Sequence, residues 1–298
     1  MPKTILHIGY PKTATTWFIN NFYPNVKNAS CIYYNDISFD ISEGNEKFII
    51  KDSKLSTEKE LLIIPTHIFS GLVSGSWKNG AYRSFFITRL KTIFPDACIV
   101  IFIRNQVDFI ISAYSSYLKR GGTYSLNKLL MEEMSTGKNL FTYDYLDYPL
   151  LIRQYSEAFG IENLKIFVYE DLVKNRDPFL KDYIEKLGLD IDLSKLVYSR
   201  SNEKLRTGLM KFIRHSNKFF HDGMKPKRSY INLPFVSSFI GRRIDGWNNS
   251  ALWGARINRN NILSKEMCDF LNDRFKTSNR KLISEFGISS IADYGYPL

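Results

Sequence analysis

The stretch Tyr10-Pro11-Lys12-Thr13-Ala14-Thr15-Thr16-Trp17 decides how the rest of the chain is read. It follows Ile5-Leu6-His7-Ile8-Gly9, an apolar run that reads as a short buried strand within residues 4–9. It precedes Phe18-Ile19-Asn20-Asn21-Phe22, which reads as part of a helix over residues 14–24. A strand, a tight turn and a helix in this order can hold an anion. The first N–H groups of a helix have no internal partner and point out of its N-terminus. The helix dipole adds partial positive charge there. Lys12 supplies a full charge, and Thr13, Thr15 and Thr16 add hydroxyl donors. A phosphate or sulfate group is therefore the expected guest. The nucleotide-triphosphate loop G-x-x-x-x-G-K-[ST] does not fit. Gly9 is present, but no glycine precedes Lys12, and no acidic residue ends an evident strand as a second Mg²⁺ anchor.

Outward from this stretch the pattern repeats. Leu61-Leu62-Ile63-Ile64-Pro65 and Cys98-Ile99-Val100-Ile101-Phe102-Ile103 are apolar on both faces, as central parallel strands are. Ser30-Cys31-Ile32-Tyr33-Tyr34 and Leu164-Lys165-Ile166-Phe167-Val168-Tyr169 bring the predicted strands to five. Helical spacing falls at 82–94, 107–119, 125–136, 148–159, 177–187 and 264–286. Residues 35–60 read as polar and mixed, with a loop around Glu43-Gly44-Asn45, and 68–80 as a loop rich in glycine and serine. Strands alternating with helices predict an α/β fold, a parallel sheet flanked by helices on both faces. Ligands in that architecture sit beyond the carboxyl ends of the strands. Lys12, His67, Arg104 and Tyr169 all stand at such ends.

The chain has 298 residues, which suits one α/β domain with a core over 1–200 and a mostly helical, basic region over 201–298. A formal charge of +11 favours anionic partners such as a nucleotide, an acidic glycan or a phospholipid surface. No RNA- or DNA-binding signature is visible, so nucleic acid is not an expected partner. Between Lys204 and Arg243 stand ten Lys and Arg against one acid, Asp222, interleaved with aromatics. Cys31, Cys98 and Cys268 are far apart and form no disulfide or zinc pattern, so no metal site is expected. No signal peptide opens the sequence, and no run approaches the roughly 18 apolar residues of a membrane span. The expected compartment is the cytoplasm, with the inner membrane surface a candidate place of peripheral contact.

The string Tyr10–Trp17 resembles the 5′-phosphosulfate loop of the sulfotransferases that use PAPS (3′-phosphoadenosine-5′-phosphosulfate). That loop runs Tyr-Pro-Lys-Ser/Thr-Gly-Thr-Thr-Trp, and this chain matches it except for Ala14 in the glycine position. Arg104 and Ser112, eight residues apart, are similar to the family pair that holds the 3′-phosphate, within Arg104-Asn105-x-x-Asp108-x-x-x-Ser112-x-Tyr114. An arginine fork and a serine hydroxyl are chemically suited to that task. Phe167-Val168-Tyr169-Glu170-Asp171-Leu172 resembles the family's Tyr-Glu-Asp stretch, which implies that Tyr169 contacts adenine. Trp17 would lie against the same base. Thr66-His67-Ile68 partly resembles the family's Lys-Thr-His-Leu-Pro, whose histidine takes the acceptor proton; Pro65 and Phe69 replace its lysine and proline.

The resemblance therefore implies a P-loop-like fold, PAPS as donor and 3′,5′-ADP (PAP) as product, without a metal. Lys12 and His67 would be the catalytic residues. Pro11, Lys12, Thr13, Ala14, Thr15, Thr16, Trp17, Arg104, Ser112 and Tyr169 would hold the donor. Asp36 and Glu43 stay open as alternatives to His67, because some glycan sulfotransferases use a carboxylate after the first helix. The Arg-Lys-Gly loop that closes over PAPS in the cytosolic members is not recognisable; Lys204 or Arg206 is left for that place. This departure points to a divergent, bacterial, carbohydrate-type enzyme whose acceptor hydroxyl is on a glycan or glycolipid. A nucleotide or small-molecule kinase and a non-catalytic nucleotide-fold binding module are the rival readings.

Overall fold

The structure, a computed structural model, describes residues 2–42, 45–50, 55, 57–70, 82–136, 143–197, 204–220 and 234–298. Its strands are β1 (Lys3–His7), β2 (Ala29–Cys31), β3 (Ile37–Ser42), β4 (Asn45–Ile50), β5 (Leu61–Pro65), β6 (Cys98–Ile103) and β7 (Leu164–Val168). Five of them form a sheet in the order β2-β5-β1-β6-β7, parallel at every pairing. The three central strands are almost wholly buried, which is why they read as continuous apolar runs. From β1 the chain goes next to β2 on one side, and from β6 to β7 on the other. The topological switch point therefore falls between β1 and β6, where ligands of open α/β sheets bind.

Two compact units share the chain. The first holds the sheet and comprises residues 1–105, 143–199 and 278–296. One sheet face is covered by an aromatic core in which Phe18, Phe22, Tyr23, Phe102, Phe167, Phe179 and Tyr183 pack as one cluster. Ring centroids stand 5.2 Å apart for Phe18 and Phe102 and 4.9 Å apart for Phe167 and Tyr183, within the favourable range for such pairs. Helix Tyr148–Phe159 starts at Asp147, whose side chain accepts from the Leu150 N–H. Helix Arg176–Leu187 stops at Gly188, which takes the left-handed conformation that ends many helices.

The second unit comprises residues 106–142, 200–277 and 297–298. It is helical, built on Gln106–Lys119, Leu126–Thr136, Thr207–Phe220, Pro234–Asn249 and the first turns of Lys265–Phe286. Buried Asn217 ties two of these helices by donating to the carbonyls of Leu118 and Gly122, at 2.8 and 2.9 Å. Lys119 pairs with Asp245 at 2.7 Å.

Two local expectations change. The segment read as polar and mixed over 35–60 contains the antiparallel hairpin β3–β4, in register from Ile37 opposite Ile50 to Ser42 opposite Asn45. Its Phe48 packs on Phe69 and Phe86. Residues 37–42 alternate apolar and polar side chains as a strand does, whereas 45–50 run polar then apolar and hide the second strand. The helix expected over 14–24 is a single α-turn, Thr15–Trp17, that widens to a π segment at Phe18–Phe22 and tightens to a 3₁₀ turn at Tyr23–Asn25. Three large aromatics that must all reach the same core account for the irregular winding. The loop expected over 68–80 begins as a 3₁₀ turn, His67–Ser70, and residues 71–80 lie outside the described ones.

Candidate functional site

Within the first unit the expected site residues stand at the carboxyl ends of adjacent strands. Pairing puts His7 opposite Pro65, so residues 9–14 after β1 and His67 after β5 leave the sheet at the same height. The Thr66 N–H donates to the His7 carbonyl at 2.9 Å and continues that register to the residue before His67. On the other side of β1, the Ile8 N–H donates to the Val100 carbonyl and the Tyr10 N–H to the Phe102 carbonyl. Gly9 passes so close to β6 that a Cβ there would lie 2.9 Å from the Phe102 nitrogen. Only a residue without a side chain lets the loop start in this position.

The loop itself is wound by two left-handed residues, Lys12 at φ 70° and Ala14 at φ 64°; among the described residues no other non-glycine has positive φ. Such backbone costs an L-residue roughly 1 kcal/mol or more, which explains why the matching motif prefers glycine at the position of Ala14. Ala14 is also the N-cap of the first helical turn, so its strain aims the following N–H groups out of the helix end. The Thr13 hydroxyl closes the loop on the Tyr10 carbonyl. Thr15 is buried, and its hydroxyl has no hydrogen-bond partner among the described residues. Thr16 is exposed and Pro11 half-buried. Trp17 is half-buried and donates its indole N–H to the Val197 carbonyl at 3.2 Å.

Arg104 is buried at the end of β6, facing the loop. One guanidinium nitrogen donates to the Lys12 carbonyl at 2.6 Å, and the guanidinium lies 4.5 Å from the Tyr169 ring centroid. Its Nε has no partner among the described residues. A donor set with an unpartnered guanidinium N–H, an unpartnered hydroxyl, helix-end N–H groups and Lys12 is the chemistry of an oxyanion ligand. The surrounding charges fix the frame. Tyr148 donates to the Arg104 carbonyl at 2.6 Å, and Glu170 accepts from the Asn105 N–H at 3.0 Å. Burial raises the Glu170 carboxyl above its usual range, while the Asn105 N–H and the Tyr296 hydroxyl oppose that shift.

His67 opens its 3₁₀ turn and is half-buried. Its carbonyl accepts from the Ser70 hydroxyl at 2.8 Å, the Phe69 carbonyl from Tyr155 at 2.9 Å and the Ser70 carbonyl from buried Arg83 at 3.1 Å. The Tyr10 hydroxyl in turn donates to the Tyr145 carbonyl at 2.9 Å. Burial pushes the Tyr10 hydroxyl up to about 12 against the opposing charge of Arg83. Asp36 is occupied in capping its own turn through the Tyr33 N–H, at 3.2 Å. Glu43 lies outside the described residues. Nothing in the local pattern marked Arg83 or Tyr148, because each is recruited by a partner 13 or 44 residues away. Glu170 stood in the Tyr-Glu-Asp stretch, but its bond to Asn105 was not legible there.

In the second unit Ser112 is half-buried on helix Gln106–Lys119. Lys204 is held by Asp108 at 2.7 Å, and Arg206 by the carbonyls of Asn248 and Gly254, at 3.0 and 2.7 Å. Both residues left to cover a nucleotide thus have protein partners. Asp222 and much of its basic neighbourhood, residues 221–233, lie outside the described residues.

Residues 47–192 match the model of the sulfotransferase family. The matched span contains His67, Arg104, Ser112 and Tyr169 and begins beyond the Tyr10–Trp17 loop. Of the solved structures that resemble the chain, one is mouse sulfotransferase SULT7A1 complexed with PAP, 15% identical over 99% of this chain and 89% of that one, at a TM-score of 0.52. Another is a sulfotransferase from Alicyclobacillus acidocaldarius, 14% identical over 86% of this chain and 99% of that one, at 0.48. No curated protein matches the chain. The sheet order and the likeness to the mouse structure show a P-loop-like α/β fold. The matched span is just under half of the chain, and it supports reading the chain as a divergent relative of the sulfotransferases.

Proposed function

We propose that the chain transfers a sulfuryl group from PAPS to an acceptor hydroxyl. The observation that carries this reading is Arg104, buried at the switch point with one arm on the Lys12 carbonyl, its face on Tyr169 and its Nε unpartnered among the described residues. The PAP in the mouse sulfotransferase of similar fold supports the choice of nucleotide. PAPS, when bound, supplies the activated sulfuryl group.

The chain's own residues do the rest. Pro11, Thr13 and Ala14 shape the loop; Lys12, Thr15, Thr16 and the helix-end N–H groups hold the 5′ end. The Lys12 ammonium offsets the charge that grows on the phosphate oxygen as its bond to sulfur breaks. His67 takes the proton from the acceptor oxygen as that oxygen bonds to sulfur. Arg104 holds the 3′-phosphate, and Ser112 adds a hydroxyl on the strength of the sequence spacing alone. Tyr169 and Trp17 bracket the adenine. No metal takes part in this scheme.

The acceptor in this reading is a sugar hydroxyl on a glycan or glycolipid. Its support is the exposed face of helix Thr207–Phe220, where Lys211, Phe212, His215, Lys218 and Phe219 offer charge and rings to an anionic sugar or an anionic membrane surface. A cytoplasmic chain that touches the inner membrane surface fits three cysteines without disulfides. Among the described residues no helix is long and apolar enough to cross a membrane.

Calorimetric titration without Mg²⁺ tests the reading. 3′,5′-ADP binds at least about tenfold more tightly than 5′-AMP, and Arg104→Lys, which keeps the charge but loses the fork, removes most of that preference. Equal affinity for the two nucleotides, or binding only of Mg·ATP, would sink the proposal and favour a kinase.

A further inference from the structure

We propose that the segment Ser289–Tyr296 is a positioning element of the nucleotide site, acting on Arg104 through Asn105, Glu170 and Asp171. The inference rests on the reading of Arg104 as the 3′-phosphate ligand and extends it to residues that touch no substrate.

The contacts form a closed frame. Asn105 is fully buried, and its side-chain amide donates to the carbonyls of Tyr294 and Gly295, at 3.3 and 2.8 Å. Its backbone N–H donates to one oxygen of Glu170 at 3.0 Å. The other Glu170 oxygen accepts from the hydroxyl of Tyr296, itself buried, at 3.0 Å. The next carboxylate, Asp171, accepts from the Tyr294 hydroxyl on one oxygen and from Ser290 at 3.2 Å on the other. Lys174 lies 4.5 Å from the Tyr294 ring centroid and completes the seat. Three side chains of one short segment thus engage the two carboxylates that follow Tyr169, and two of its carbonyls engage the residue that follows Arg104.

These bonds fix the backbone on both sides of the guanidinium. Arg104 is pinned by its carbonyl to Tyr148, by the next peptide to Glu170, and across its face to Tyr169, which begins the same helix as Glu170 and Asp171. If the frame loosens, Arg104 and Tyr169 lose their common alignment. A displacement of about 1 Å in such a fork is enough to lose a bidentate contact. Two negative carboxylates next to an anion site would ordinarily weaken it. Here each carboxylate oxygen is turned onto a donor of the segment or of Asn105.

The test is calorimetry of 3′,5′-ADP and 5′-AMP with the full chain and with Tyr294→Phe, Tyr296→Phe and the double variant. Each change removes one hydroxyl and keeps the ring. Wild type prefers 3′,5′-ADP, and the double variant loses about tenfold of that preference, the worth of a hydrogen bond to a charged group, with 5′-AMP affinity within about twofold of wild type. Tyr294 is partly exposed, so Tyr294→Phe keeps the chain folded and gives a smaller loss in the same direction. An unchanged ratio in both the single Tyr294 variant and the double variant would overturn the positioning role. So would an equal loss for both nucleotides, the mark of a merely structural segment. A wild type without any preference would instead remove the 3′-phosphate reading itself.

Discussion

Ala14 shows how one residue reports a site. The loop needs a left-handed backbone there, and alanine supplies it at a cost that glycine avoids. Ala14→Gly relieves the strain while adding some unfolded-chain entropy, for a net gain of about 1 kcal/mol. Thermal unfolding should then rise by roughly 2–4 °C; a lower melting temperature would mean that the loop is not wound as described. Thr15 makes the complementary case. Its buried hydroxyl has no partner among the described residues, so Thr15→Val leaves stability unchanged or raises it by up to about 1 kcal/mol. On the proposed reading, in which Thr15 serves the 5′ end, the same change weakens 3′,5′-ADP and 5′-AMP alike, about tenfold. Calorimetry of both nucleotides distinguishes it from Arg104→Lys, which affects only one. Both residues were legible in the sequence by type and place. Their strain and lack of partners were not, since these depend on what packs around them.

At the scale of elements, the parallel strands β1 and β6 and the loop between them act as one device. Gly9 sits where a Cβ would meet the Phe102 backbone nitrogen at 2.9 Å and the buried His7 ring at 3.3 Å. Gly9→Ala must push the strand ends apart, costing about 1–3 kcal/mol of stability and lowering nucleotide affinity as well. Denaturant unfolding with and without 3′,5′-ADP measures both; a silent Gly9→Ala would show that the loop tolerates another path. The central strands could be read directly, because burial on both faces leaves continuous apolar runs. The β3–β4 hairpin was only half legible, because residues 37–42 alternate apolar and polar while 45–50 run polar then apolar. The winding of the first helix was also hidden. It follows from Phe18, Phe22 and Tyr23 being drawn into one core, a matter of tertiary packing rather than propensity.

On the scale of the whole molecule, buried ionisable groups set the response to acid. His7 is wholly buried against Phe18, Phe102 and Tyr23, with Nδ1 hydrogen-bonded to the Tyr23 hydroxyl at 2.6 Å. Burial, helped by the nearby His67, lowers its pKa from 6.5 to about 3. The folded chain therefore binds fewer protons than the unfolded chain below pH 6.5, and stability falls as pH drops from there towards 3. Glu170 works in the opposite sense. Its raised carboxyl pKa favours the folded state at low pH, and that contribution is lost as pH rises through the raised value. His7 dominates because its shift spans several pH units. About 2 kcal/mol should be lost between pH 6.5 and 5, and His7→Asn should flatten that part of the profile. Melting temperatures at the two pH values check it; equal slopes for variant and wild type would assign the acid sensitivity elsewhere.

The sequence by itself determined the parallel α/β sheet, the candidate anion loop and the resemblance to the sulfotransferases. Each of these is written in local order: apolar runs of strand length, a lysine and hydroxyls at a helix start, an arginine at a strand end. Only the tertiary structure decided how those groups are held. The stacking of Arg104 on Tyr169, the hold of Arg83 and Tyr155 on the turn after His67, and the seat of Ser289–Tyr296 on Glu170 and Asp171 join residues far apart in the chain. The physical reason is that side-chain hydrogen bonds and ring contacts depend on which elements the sheet topology brings together, and periodicity carries no record of that choice.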